Sequence, residues 1–226
     1  MPIGIGDTTW KELLPDFAAL DHEDEVIISA VESLKSEILD LTKKLDLKCE
    51  FKFIESKVGR ASQLNNGASL ASKEYLWFLH CDSRLNSNTI LRLNSKLKEN
   101  PNSLFYFDLD FANDGTSLLN INKAGAWFRS HVLRLPFGDQ GFAMSREIFK
   151  KLNGFPESVL YGEDHLFVWK AHKQGVAVDF IGEKLVTSAR KYSSEGWAKT
   201  TSRHLWLTFK QGIPQAVKLI AERTLK

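Results

Sequence analysis

The residues able to do chemistry in this chain fall into a few short runs, most of them acidic. Leu76-Trp77-Phe78-Leu79-His80-Cys81-Asp82-Ser83 starts as the apolar run of a strand covered on both faces and ends abruptly in a carboxylate. Open α/β sheets bind ligands beyond the carboxyl ends of their strands. Asp82 is therefore placed where an oxygen can hold a divalent ion and, through it, a diphosphate. It can equally cap the following turn, which Ser83 and Asn86 also favour. Glu163-Asp164 follows Tyr161-Gly162 and immediately precedes a helical pattern. Acids there meet the helix dipole, and a carboxylate on a loop edge can also take a proton as a general base. Asp108-Leu109-Asp110 is a literal Asp-x-Asp, yet both carboxylates fall on the polar side of an alternating strand, where solvation accounts for them.

Three more runs can present polar groups to a ligand. Gly138-Asp139-Gln140-Gly141 sets two glycines around polar side chains, which allows close backbone approach. Gly59-Arg60-Ala61, with Gln63 and Asn65-Asn66-Gly67 behind it, can offer a guanidinium and amides from a helix start, although surface capping is the plainer use. Ser188-Ala189-Arg190-Lys191 holds two cations that could meet phosphate. The six histidines show no zinc spacing, and Cys49 and Cys81 form no ligand pattern.

These runs need elements to position them. Met1–Ile5 can be a first strand, followed by a helix from about Trp10 to Leu20. Glu25–Ala30 and Glu50–Glu55 read as strands, with a helix over Ser33–Leu47 whose Leu34, Ile38, Leu41 and Leu45 make one apolar face. Arg60–Ser72 is a further helix, leading to the strand Tyr75–Leu79. Strands separated by helices of this length predict βαβ units and a parallel sheet. Beyond Asn88–Lys98, another helix, the pattern loosens. Leu104–Phe111 alternates as a half-buried strand, Asn113-Asp114-Gly115 signals a turn, and Ala124–Leu133 looks helical. Short elements over Phe137–Ser145, Glu147–Leu152, His165–Gln174 and Ala177–Ile181 precede a helical tail, Lys199–Lys226, interrupted at Gly212-Ile213-Pro214.

Composition narrows the class. A chain of 226 residues, 43% hydrophobic, can bury one sizeable core. A net charge of +2 without a dense basic block speaks against nucleic acid as a partner. The first residues lack the basic leader and apolar run of a signal peptide, and no stretch reaches the roughly 20 apolar residues of a membrane span. A reduced, cytoplasmic setting follows as the expectation. One domain is expected over 1–226, divided near 100 and near 200 into two halves and a helical tail.

Taken in order, Gly59-Arg60-Ala61-Ser62-Gln63-Leu64-Asn65, Phe78-Leu79-His80-Cys81-Asp82-Ser83, Phe137-Gly138-Asp139-Gln140-Gly141, Asn153-Gly154-Phe155-Pro156 with Glu163-Asp164, and Thr187-Ser188-Ala189-Arg190-Lys191 resemble glycosyltransferase family 2. The likeness is to its compact bacterial subgroup with Gly-Arg-Ala, His-Ala-Asp, Gly-Asp-Gln-Gly and Ser-Ala-Arg-Arg motifs, from about Ile3 to Pro214. The resemblance implies a GT-A fold, Rossmann-like, with a mostly parallel sheet flanked by helices. It also implies a nucleotide-sugar donor and Mg²⁺ or Mn²⁺. By resemblance, Asp82 binds the metal, with His80 replacing the family's first acid. Asp164 is the base of an inverting transfer and Glu163 its neighbour. Arg60 and Asn65 line the nucleotide side, Gly138, Asp139 and Gln140 the donor-sugar or acceptor side, and Arg190 approaches the diphosphate.

The chain departs from that pattern at the nucleotide end. Ala30 stands where the family has a base-contacting Asp, and Gly6-Asp7-Thr8 replaces its Pro-Thr turn. Asp7 or Glu32 could compensate. Cys81 and Lys191 replace the subgroup's usual Ala and Arg. The missing acid leaves a second reading open, a sugar-nucleotide-binding protein without catalysis. A nucleotidyltransferase ranks last, because Gly4–Thr9 is too short for a phosphate loop and has no basic residue. The acceptor, lipid-linked or saccharide, is unassigned. The basic and apolar segment 203–226 can pack on its own domain or lie peripherally on a membrane.

Overall fold

A computed structural model describes residues 1–112, 118–189 and 197–224. The turn signal at Asn113–Gly115 and the cations Arg190 and Lys191 lie outside the described residues. The chain opens in an extended segment whose Pro2 bridges Ser29 in parallel, rather than in a full strand. The expected helix from Trp10 divides into α1 (Trp10–Leu13) and a 3₁₀ turn, Leu14–Ala19. Pro15 lies in its first turn, where the ring removes a backbone donor.

β1 (Glu25–Ala30), α2 (Lys35–Lys44) and β2 (Glu50–Glu55) form the expected βαβ unit, its strands parallel. Its Ile38 packs into the core, on the face the spacing predicted. α3 (Arg60–Leu70) leads to β3 (Tyr75–Phe78), the two-residue β4 (Ser83–Arg84), α4 (Ser87–Glu99) and β5 (Ser103–Phe111). Asn86 caps α4, its side chain accepting from Thr89 N at 2.9 Å. α5 (Leu119–Trp127) runs into a π turn, Phe128–Val132. Then come β6 (Phe142–Ser145), α6 (Arg146–Lys151), α7 (Glu163–Lys173), β7 (Ala177–Thr187) and α8 (Trp197–Thr224).

The class is α/β as expected, but the second sheet is mixed. Its order is β3-β6-β5-β7-β4, with β5 and β7 parallel and the other pairs antiparallel. β5 was expected to be half-buried. It is the middle strand, and Ser103–Phe107 are buried on both faces. Phe105 and Phe107 enter the core shared with Trp10, Ile28 and Leu185; Leu104 and Tyr106 enter the one with Phe78, Phe142 and Phe167. Tyr106 is tolerated there because its hydroxyl donates to Ser130 O at 2.9 Å.

The tail is not interrupted at Gly212-Ile213-Pro214, because α8 continues through Pro214. Contacts with α7 and the loop before it hold α8 on either side of Pro214. Gln211 Nε2 donates to Tyr161 O at 2.8 Å, and Lys173 Nζ to Gln215 Oε1 at 3.0 Å. Among the described residues no helix is long and apolar enough to cross a membrane.

Candidate active site

Beyond β3 the chain turns tightly, with Ser83 N donating to His80 O at 3.2 Å. Side chains then alternate: His80 and Asp82 line a cavity of about 250 Å³, while Cys81 faces the other way. The Cys81 thiol donates to Asp7 Oδ2 at 3.0 Å. Burial first, and then this carboxylate, push it up to about 12. Asp7 Oδ1 accepts from the Thr9 hydroxyl at 2.6 Å and from Thr9 N at 3.3 Å. Cys81 and Asp7 thus join the entry loop to the end of β3, and neither they nor Gly6 lines the cavity.

Asp164 enters the same cavity from the first turn of α7. That helix starts after Gly162, whose φ of 73° is left-handed and suits glycine. Gly138 N donates to Asp164 Oδ2 at 2.7 Å, and His165 N to Oδ1 at 2.8 Å. Gly138 is glycine for a steric reason: a Cβ there would lie 3.1 Å from both His80 Nε2 and Asp164 Oδ2. Glu163 is buried beside the cavity, with Arg60 Nε 3.6 Å from its Oε1. Burial and then Asp164 raise the Glu163 pKa, and Arg60 opposes them. Arg60 itself is on the cavity lining.

Asp139 lines the cavity too, and its Oδ1 is buried without a hydrogen-bond partner among the described residues. Burial is the main cause that lifts its pKa from 3.8 to about 6; Arg129 pulls down, Asp164 and Asp82 push up. Gln140 is committed elsewhere. Its Nε2 donates to Phe107 O at 2.9 Å, and its Oε1 accepts from Arg129 at 3.1 Å and Phe137 N at 3.1 Å. It braces the Gly138–Gly141 loop and does not line the cavity.

Two more expected contacts are also placed away from the cavity. Asn65 closes a pair of hydrogen bonds with the Phe155 backbone, both at 2.9 Å, and reaches Glu157 at 2.7 Å. Its amide is thereby occupied in holding the Gly154–Glu157 loop. Glu32 is exposed, pairs with Lys35 at 3.2 Å and does not line the cavity. Arg190 lies outside the described residues. The literal Asp-x-Asp stays away from the cavity as well: Asp108 takes His131 Nε2 at 2.8 Å, and Asp110 pairs with Lys123 and with Lys184 at 3.6 Å.

Sequence reasoning did not single out His165 or Gln211, which also line the cavity. Trp169 Nε1 donates to His165 Nε2 at 3.0 Å, so the neutral ring carries its proton on Nδ1. Burial lowers its pKa. Gln211 comes from α8, and no local pattern ties it to the site. Among the described residues no group of three His, Cys, Asp or Glu could hold a metal ion unaided. Mg²⁺-type ions bound with substrate phosphates need one or two carboxylates, and Asp82 with the unpartnered Asp139 Oδ1 fits that mode.

The α/β fold delivers carboxylates from a strand end and a helix start to one cavity, an arrangement compatible with the GT-A fold. The sequence model of Glycosyl transferase family 2 matches residues 16–152, and the chain belongs to that family. The structure is similar to that of S. aureus TarS 1-349, at 16% identity and TM-score 0.63, covering 83% of this chain and 58% of that one. The same TarS fragment has been solved in complex with UDP-GlcNAc, at 16% identity and TM-score 0.63, over 83% of this chain and 56% of that one. The mannosyltransferase PcManGT from Pyrobaculum calidifontis, in complex with GDP-Man and Mn²⁺, is similar at 18% identity and TM-score 0.68, over 94% of this chain and 62% of that one. The chain thus spans less than two thirds of each, and at these identities the likeness is one of fold. No curated protein matches the sequence. The family match ends before Glu163-Asp164, so those two residues rest on their place in the fold.

Proposed function

We propose that this cavity transfers a glycosyl group from a nucleotide-sugar to an acceptor hydroxyl with inversion, Asp164 acting as general base. The observation that carries the reading is the meeting of Asp82, Asp139 and Asp164 with Arg60 and His80 on one lining. The acceptor oxygen attacks the anomeric carbon as its proton passes to the Asp164 carboxylate. The bond from that carbon to the diphosphate breaks, and the diphosphate leaves with the electron pair. Backbone donors from Gly138 and His165 fix the carboxylate's direction, leaving each oxygen a further lone pair. Arg60, held beside Glu163, offers its guanidinium to the donor phosphates. Asp82 and Asp139 would hold a divalent ion, which supplies charge neutralisation for the departing diphosphate.

The test is a screen of UDP- and GDP-sugars with Mn²⁺, following release of the nucleoside diphosphate. Asp164→Asn is expected to reduce turnover by about 10²–10⁴-fold, the usual weight of general-base catalysis, while calorimetry still detects donor binding. Turnover unchanged in Asp164→Asn refutes the assignment. Donor binding without turnover in the unmodified protein favours the non-catalytic reading.

A further inference from the structure

α8 has two faces that do different things. At about 100° per residue, Trp206, Phe209, Ile213 and Val217 fall within an arc of about 80°. These four side chains are 59%, 61%, 59% and 60% exposed. Leu207, Thr208 and Gln211, on the opposite side of the helix, form a wall of the cavity. An apolar stripe on the outer face of a helix that already walls the site is a docking surface, not a core element.

Charge says what the stripe docks on. Residues 197–226 contain Lys199, Arg203, Lys210, Lys218, Arg223 and Lys226 against the single acid Glu222, more positive than the +2 of the whole chain. Lys210 sits on the striped face, its Nζ 4.7 Å from the centre of the Trp206 ring. α5 carries exposed apolar residues of its own, and the contacts that seat it on α8 lie on the side away from the stripe. Trp197 Nε1 donates to Asn122 Oδ1 at 2.6 Å and Asn122 Nδ2 to Thr201 at 3.2 Å, which seats α5 beside the start of α8. On α5 and its π turn, Ile121, Phe128 and Val132 share a helical face and are exposed. A basic helix with Trp and Phe on its apolar side matches a helix lying in an anionic lipid interface.

We propose that α8 docks the protein on the surface of an anionic phospholipid bilayer, with Trp206, Phe209, Ile213 and Val217 entering the acyl boundary. The cavity then lies one helix diameter, about 10–12 Å, behind the docked face. Docking stands on α8 alone; its service to the site rests on the transferase reading.

The experiment is flotation of the full chain with vesicles of phosphatidylcholine alone or mixed with phosphatidylglycerol, at low and high salt. Recovery is expected with the mixed vesicles, decreasing with salt. Trp206→Ser combined with Phe209→Ser should lower the affinity by about tenfold or more at an unchanged melting midpoint. Lys199→Glu with Lys210→Glu, both on the striped side of the helix, should remove the preference for phosphatidylglycerol. Equal recovery on neutral vesicles, none on either, or recovery indifferent to these substitutions overturns the proposal. So does a lipid-free dimer in sedimentation velocity that Trp206→Ser/Phe209→Ser dissolves, since the stripe then belongs to a second copy. Flotation needs no turnover, so its failure leaves the transferase reading intact.

Discussion

Replacing Asp139 by asparagine isolates the electrostatic burden that the site places on the fold. The Asp139 carboxyl is held at about 6 instead of 3.8, chiefly by burial, with Asp164 and Asp82 adding to it against Arg129 and Arg60. A difference of about 2 pH units is worth about 3 kcal/mol. The folded value lies above the unfolded one. Below pH 3.8 the group is protonated in both states and costs nothing; as pH rises through about 6 it ionises in the fold, and the stability of the protonated form is lost. Asparagine cannot ionise. The stability difference, variant minus parent, should therefore widen by up to about 3 kcal/mol between about pH 4 and pH 7.5. For a chain of this size that is a gain of roughly 6–12 °C in Tm at the upper pH relative to the lower. Urea unfolding of both proteins across this range, with a chelator present so that no cation offsets the charge, reads it directly. Comparing them at each pH cancels the titrating groups that are not coupled to Asp139 and any constant effect of the amide. A difference that does not change with pH, or that widens toward acid, refutes the argument.

Other consequences follow from the same contacts. Burial raises both Cys49 and Cys81, the latter to about 12, so Ellman's reagent should find no fast thiol in the folded protein and two after denaturation; rapid labelling of either while folded contradicts the placement. Gly162→Ala adds a Cβ to a left-handed residue and drives it into the Gln211 amide. It should cost at least about 1–2 kcal/mol and expose α8 to proteolysis, and an unaltered digestion pattern counts against the packing described. Asn65→Ala removes the clamp on Phe155 and should cost about 1–3 kcal/mol without weakening nucleotide-sugar binding, whereas weaker binding at full stability returns Asn65 to the nucleotide side.

What the sequence made legible was local. β2 lies at Glu50–Glu55 as read, and Glu163-Asp164 does open a helix, because apolar spacing and helix-start chemistry are written within a few residues. β5 was misjudged because Tyr106 counts as polar in an alternation, while its hydroxyl finds Ser130 O and lets the ring be buried. Pro214 reads as a breaker, yet packing on α7 carries α8 through it. The amides were the least legible part of the site. Nothing local tells whether Asn65, Gln140 or Gln63 faces a ligand or a distant backbone, and all three face backbone; Gln63 Nε2 donates to Ile3 O at 2.9 Å. The α8 wall was illegible for the same reason, since Gln211 meets Tyr161 only in the fold.

The energetics and the proposed chemistry share one cause. Asp82, Asp139 and Asp164 converge on one cavity, and Asp164 raises the pKa of both Asp139 and Glu163. Like charges brought together at a buried site destabilise the fold, and such groups concentrate where function requires them. The sign reverses for a positive occupant. A divalent ion beside a diphosphate, or the positive charge developing at an anomeric carbon as its leaving group departs, gains from each carboxylate what the fold loses by holding it. Arg60 restrains the arrangement from the rim without cancelling it, because it lies 3.6 Å from Glu163, the acid that does not line the main cavity. A cavity kept acidic at a cost to stability is selective for reactions whose transition state is more positive than their ground state at the reacting carbon, and glycosyl transfer is one of them.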